Sequence, residues 1–119
     1  MGVLDFKLQH GLKVAGGDDG PALYFDVALR ELTAADIIDA QIEAEQVIVQ
    51  NGRAMAYVSD VRMGLGLMRR QIESIGEMNG PIDIKLLRRL HPDDLALLQA
   101  KTRELDLALA QEIADRGRE

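Results

Sequence analysis

Residues 33–58 read TAADIIDAQIEAEQVIVQNGRAMAYV (Thr33–Val58), and the amount of helix in this stretch decides the fold of the chain. Ala34, Ile38, Ile42 and Val49 recur at helical spacing on one face, with Asp39 and Glu43 elsewhere. Thr33 is a good N-cap, and Asp36 stands at N3, from where a carboxylate reaches back to the cap. Leu32 and Ile37 are spaced to clasp as a hydrophobic staple. Asn51-Gly52 closes the segment, since both residues tolerate the left-handed conformation that ends helices. The spacing predicts a helix over about 33–50.

Working outward, a second stripe runs through Tyr57, Val58, Val61, Leu65, Met68, Ile72 and Ile75. It fills roughly 100° of a helical wheel and predicts a helix over 53–76. Gly64 and Gly66 lie inside it at about 1 kcal/mol each relative to Ala, and Gly64, beside the stripe, reads as a point of close approach. Met78-Asn79-Gly80-Pro81 is a turn, and Asp83 caps a short helix over 83–90. The last helix, 92–116, carries Leu95, Leu98, Thr102, Leu105, Leu109 and Ile113 on one side. Upstream, Leu4, Phe6, Leu8, Leu12 and Val14, and then Leu23, Phe25, Val27 and Leu29, follow period two around the turn-rich residues 15–21. That pattern predicts a hairpin over about 3–30. A lone hairpin is marginal in water, so its apolar face must pack on something else. The expected fold is a single α+β domain over 1–119, mainly α, with an N-terminal β-hairpin packed on a bundle of about four helices.

The composition supports this reading. Apolar residues are nearly all Leu, Ile, Val, Ala and Met, and Phe6, Tyr24, Phe25 and Tyr57 are the only aromatics, a balance that favours packed helices. A net charge of −6 argues against nucleic acid as a partner, because phosphate needs a basic face. Arg69-Arg70 and Arg88-Arg89 are the only basic clusters, and both read as solvated helix faces. The absence of cysteine excludes disulfides and thiol chemistry. The leading residues carry an early acid and no long apolar run, and no stretch nears the ~20 apolar residues that span a membrane. A soluble protein of the host cytoplasm, with no membrane partner, is expected.

The most chemical-looking stretch is LHPDDLALL (Leu90–Leu98). Pro92 fits N1, where its missing N–H costs nothing. Asp93 and Asp94 fall at N2 and N3, where the helix dipole favours negative charge. A metal would need more ligands, and the other histidine, His10, lies in the hairpin region. Thr33, Asp36, Asp83, Pro92 and Asp94 are therefore read as structural caps. No phosphate loop or nucleophile motif is present, and the reading calls for no catalytic residue, metal or cofactor.

The succession of the hairpin, LRELTAADI (Leu29–Ile37), a long helix, IGEMNGP (Ile75–Pro81) and LRRLHPDDL (Leu87–Leu95) resembles the tail assembly chaperones of Mu-like and P2-like contractile-tailed phages and prophages. The resemblance covers residues 4–106 and implies a non-enzymatic role. Such a protein would coat the helical tape measure protein, keep it soluble, and leave as tail tube subunits polymerise around it. It also implies, as further partners, tail tube subunits or a frameshifted longer form of the chain; a homo-oligomer is a separate expectation. A chaperone for an amphipathic helix should offer an apolar face, and the residues off the main stripes are its candidates: Met63, Leu67, Leu97 and Leu107. Two other classes remain open: a structural tail or head–tail connector subunit kept in the virion, and a helix-turn-helix regulator built on Asp83–Leu98.

Overall fold

Strands β1 (Leu4–Val14) and β2 (Ala22–Leu29) pair antiparallel from Leu4 opposite Leu29 to Val14 opposite Ala22. The structure is a computed structural model describing residues 4–15 and 20–117, so most of the expected turn at 15–21 lies outside the described residues, as does residue 3. The chain then leaves the sheet through α1 (Ala34–Ala44), β3 (Glu45–Gln50), β4 (Arg53–Val58) and α2 (Asp60–Gln71). It returns as β5 (Ile72–Ile75) and β6 (Met78–Asn79), and ends in α3 (Ile84–Leu87) and α4 (Pro92–Arg116). The main sheet has the order β1-β2-β5-β6, all antiparallel, while β3 and β4 form a separate two-stranded sheet. Leu8, Leu12, Val27 and Leu29 of the first hairpin form the core with Met68, Ile72, Ile75, Leu87, Leu98 and Leu105.

This architecture is α+β and corrects the expectation of a mainly helical bundle carrying one hairpin. The helix expected over 33–50 stops at Ala44, and the one expected over 53–76 begins at Asp60 and ends at Gln71. Two physical causes account for the difference. First, Val47-Ile48-Val49 is a run of β-branched residues, stiff at χ1 and better packed on a pleated surface than on a helix. Asn51 (φ 53°) and Gly52 (φ 77°) then form the two-residue hairpin turn that demands positive φ at both positions. The same dipeptide that can close a helix here joins two strands. Second, β5 carries a bulge: Leu29 faces Ile72 and Ala28 faces Ser74, so Glu73 is the extra residue. The bulge lets Ile72 and Ile75, three apart, both bury, which imitates helical spacing.

Burial on α1 is the reverse of the expected stripe. Ala40 and Ala44 are buried, whereas Ile38 and Ile42 stand exposed. The small residues permit a close crossing with α2, where buried Gly66 lies against Ala40. Gly64, expected to mark the close approach, faces open space. The basic pairs also separate. Arg69 and Arg70 both bind Glu43 of α1, the closer contact being Arg70 Nη2 to Glu43 Oε2 at 2.6 Å. Arg69 Nε also donates to the Ile82 carbonyl at 2.9 Å, so neither side chain is a solvated face. The helix expected over 83–90 shortens to the four residues of α3, too little for the first helix of a helix-turn-helix unit.

One helix start and one close approach fix the remaining geometry. Thr33 caps α1 in a reciprocal capping box with Asp36. The Asp36 carboxylate also takes a bidentate pair from Arg30 at 2.8 and 3.0 Å, tying the end of β2 to the start of α1. At the other end of α2, Gly80 sits so close to Ile72 that a Cβ there would collide with its carbonyl oxygen.

Thr33→Ala should cost about 1 kcal/mol in a urea melt through loss of the cap. Filling the open space at Gly64 with Ala should raise stability by up to ~1 kcal/mol. The guanidinium of Arg30, with help from Thr33, holds Asp36 well below the usual carboxylate range, and Arg70, with Arg69, lowers Glu43. Depressed carboxylates stabilise above their unfolded pKa and lose that contribution as pH falls through the folded value. Stability should therefore decline below about pH 4–5, and Asp36→Asn should flatten the decline in melts run at successive pH values.

Candidate interaction surface

The LHPDD segment is a junction. His91 caps α4 through Nδ1, which accepts the Asp93 N–H at 3.1 Å, and Pro92 occupies the first turn. Asp94 is wholly buried, and its carboxylate accepts three backbone N–H groups: Gln9 at 2.7 Å, His10 at 2.9 Å and Gly11 at 3.0 Å. Those donors are free because the β1–β2 register breaks between Lys7, opposite Asp26, and Leu12, opposite Tyr24. The excess residues bulge out of the ladder, with Gly11 at φ 85°, and turn their amides onto Asp94.

Outside this buried contact, the His10 ring stacks on His91 with centroids 3.6 Å apart and planes 13° from parallel. His10 Nε2 and Asp93 Oδ2 lie 3.1 Å apart. The ligand-type atoms of His10, His91 and Asp93 thus gather within 4.8 Å of one another, a juxtaposition the sequence did not reveal. Near-parallel rings direct their in-plane lone pairs side by side rather than at one point, and His91 Nδ1 already holds an amide. The arrangement works as a latch between β1 and α4.

The apolar surface lies elsewhere. Of the fourteen exposed large apolar side chains among the described residues, ten fall between Ile37 and Val61, so exposure is concentrated in one region. Its centre is the β3–β4 arm, in which every residue but half-buried Gln46 is exposed. By register, Val47 and Val49 share a side with Ala54, Ala56 and Val58. Ile48 shares the other with Met55 and Tyr57, and the Tyr57 hydroxyl hydrogen-bonds the Gln46 side chain. The radius of gyration is 17.0 Å, against about 13.5 Å for a compact domain of this length.

A second feature is an open groove between α2 and α4, lined by Asp60, Val61, Gly64, Leu65 and Met68 on one side and by the polar side chains of Gln99, Thr102 and Arg103 on the other. Of the side chains singled out in the sequence, Met63 and Leu67 are half-buried on α2 and Leu97 is half-buried on α4. Leu107 is 71% exposed, and with Ile113 it lies on the distal half of α4. Val47, Val49 and Val58 fall within the expected helices and so escape a sequence reading as surface; the β-branched run beside Asn51-Gly52 is the signal for them.

An unbalanced apolar arm, an open helical groove and an extended shape define an assembly protein, one that works against other chains. It belongs to the tail assembly protein gp41 family, whose sequence model matches residues 8–118. The chain is 42% identical over 113 residues to the probable tail assembly protein gp41 of Escherichia phage Mu, covering 94% of this chain and 78% of that one. It is also 42% identical over 114 residues to the probable tail assembly protein FS-gp41 of the same phage, of which it spans only 60%. The Mu-like prophage FluMu protein gp41 of Haemophilus influenzae is 36% identical over 100 residues, covering 83% of this chain and 79% of that relative. No solved structure matches the chain. Among the described residues, no helix is long and apolar enough to cross a membrane.

Removing the buried carboxylate at Asp94 strands three part-buried amide donors, so Asp94→Ala should cost roughly 3 kcal/mol in urea melts. Asp93→Asn, at an exposed position, should cost less than about 1 kcal/mol. Equal losses for the two would refute the assignment of Asp94 as the junction.

Proposed function

We propose that this member of the tail assembly family is a chaperone for the tape measure protein. It holds that long helical partner soluble in the host cytoplasm until tail tube subunits polymerise around it, and then leaves. The observation that carries this reading is the open α2–α4 groove, on a chain that also exposes Leu107 and Ile113 on distal α4. Such a groove suits the apolar face of an amphipathic helix, with anchors spaced one turn apart. Met63, Leu67 and Leu97 lie on the same two helices but do not line the groove, and Leu107, exposed on distal α4, is the further contact we propose. The acidic balance of the chain favours solubility and, through self-repulsion, the release of many copies at once.

The test is co-expression with the long helical protein encoded in the same tail gene cluster. The expected result is that this protein moves to the soluble fraction and co-purifies with the chain. Gly64→Leu, which fills the groove, and Leu107→Asp, which charges distal α4, should each cut recovery at least tenfold while leaving the thermal melt close to that of the parent. Unaided insolubility with no recoverable complex would overturn the proposal. Detection of the chain in purified virions would instead favour a retained structural subunit.

A further inference from the structure

We infer that the β3–β4 arm is the surface by which two copies of this chain join, through antiparallel pairing of their β4 edges. The argument begins with backbone geometry. A two-residue turn makes the flanking pair, Gln50 and Arg53, a hydrogen-bonded one. Ile48–Met55 and Gln46–Tyr57 are then the other inward pairs, and the amides and carbonyls of Ala54, Ala56 and Val58 point outward from β4. The arm forms its own two-stranded sheet, so no further strand takes up that row among the described residues.

A second copy fits this edge in one register. With a two-fold axis at Met55, Ala54 meets Ala56 of the second copy as a hydrogen-bonded pair, and both carry only small side chains. Met55 meets its own counterpart as a non-hydrogen-bonded pair, and Arg53 lies over Tyr57 of the second copy, a cation–π contact. The two Val/Ala faces then form one continuous side of a four-stranded sheet.

Three observations favour a second copy over a helical partner. A helix has its backbone groups satisfied internally and leaves the outward row of β4 unpaired, whereas another β4 completes it. Between Gln46 and Val58 the only charge is Arg53, so the arm is where two copies of a −6 chain meet with least repulsion. On the arm itself Met55, Tyr57 and Val58 of β4 stand exposed beside Val47, Ile48 and Val49 of β3, an apolar surface that a four-stranded sheet shares between two copies. The β4 edge also lacks the acids, prolines and bulges that protect open strands, while the outward row of β3 includes Glu45.

The test uses the full chain, whose lack of cysteine makes engineered thiols specific. Non-hydrogen-bonded antiparallel pairs bring Cβ atoms within disulfide range. Under mild oxidation Met55→Cys should give a covalent dimer at least tenfold more readily than Val49→Cys on β3. In sedimentation, Ala56→Pro should weaken self-association at least tenfold, because it removes an outward N–H without breaking a bond inside the hairpin, and Val47→Pro on the β3 edge should not. The inference is overturned if the chain stays monomeric at the highest concentrations it tolerates, or if Val49→Cys cross-links as readily as Met55→Cys. It is also overturned if arm variants abolish rescue of the tape measure protein by a monomeric chain. The groove variants probe a different surface, so failure there leaves this result separate.

Discussion

One carboxylate organises the domain. Asp94 stands at the start of the longest helix and accepts three backbone amides from the middle of the first strand, with no exposure to solvent. A buried charge is tolerated only when its acceptor sites are filled, and here the β1 bulge fills them. The bulge and the carboxylate need each other: without Asp94 the extruded amides are orphans, and without the bulge the carboxylate is. Their mutual dependence fixes where α4 crosses the sheet, and so where Leu98 and Leu105 meet Leu8 and Leu12. The stacked histidines close the same junction on its wet side.

What the sequence could show follows from the range of each interaction. Helix starts are local, and Thr33, Asp83 and Pro92 sit at the first turns of α1, α3 and α4. Asp94 was readable only as a dipole-favoured acid, because its partners lie more than eighty residues away. The pairing of His10 with Asp93 and His91 was hidden for the same reason. The misread middle of the chain has a different origin. Asn51-Gly52 has two local meanings, and only the preference of its flanks decides between them. Ile72 and Ile75 kept helical spacing because a bulge moved one residue out of register.

The unusual feature is how much apolar surface the fold leaves outside. Small residues, Ala40, Ala44 and Gly66, make the α1–α2 crossing, and the larger isoleucines of α1 turn away from it. A monomer that lived alone would gain by reversing that choice, since burying each large aliphatic side chain contributes about 1.5–3 kcal/mol. The arrangement suits a protein whose working state is a complex, and its membership of a tail assembly family agrees with that.

The base of the β3–β4 arm carries one more consequence. Ser59 donates its backbone N–H to the Ala44 carbonyl at 3.1 Å, so the arm leaves and re-enters the body at one place. No arm side chain belongs to the core cluster. Residues 45–58 thus project as a unit with both ends at one place, so a change in the length or sequence of the arm need not pass through the core. At such a boundary the surface of the arm and the stability of the domain can vary separately.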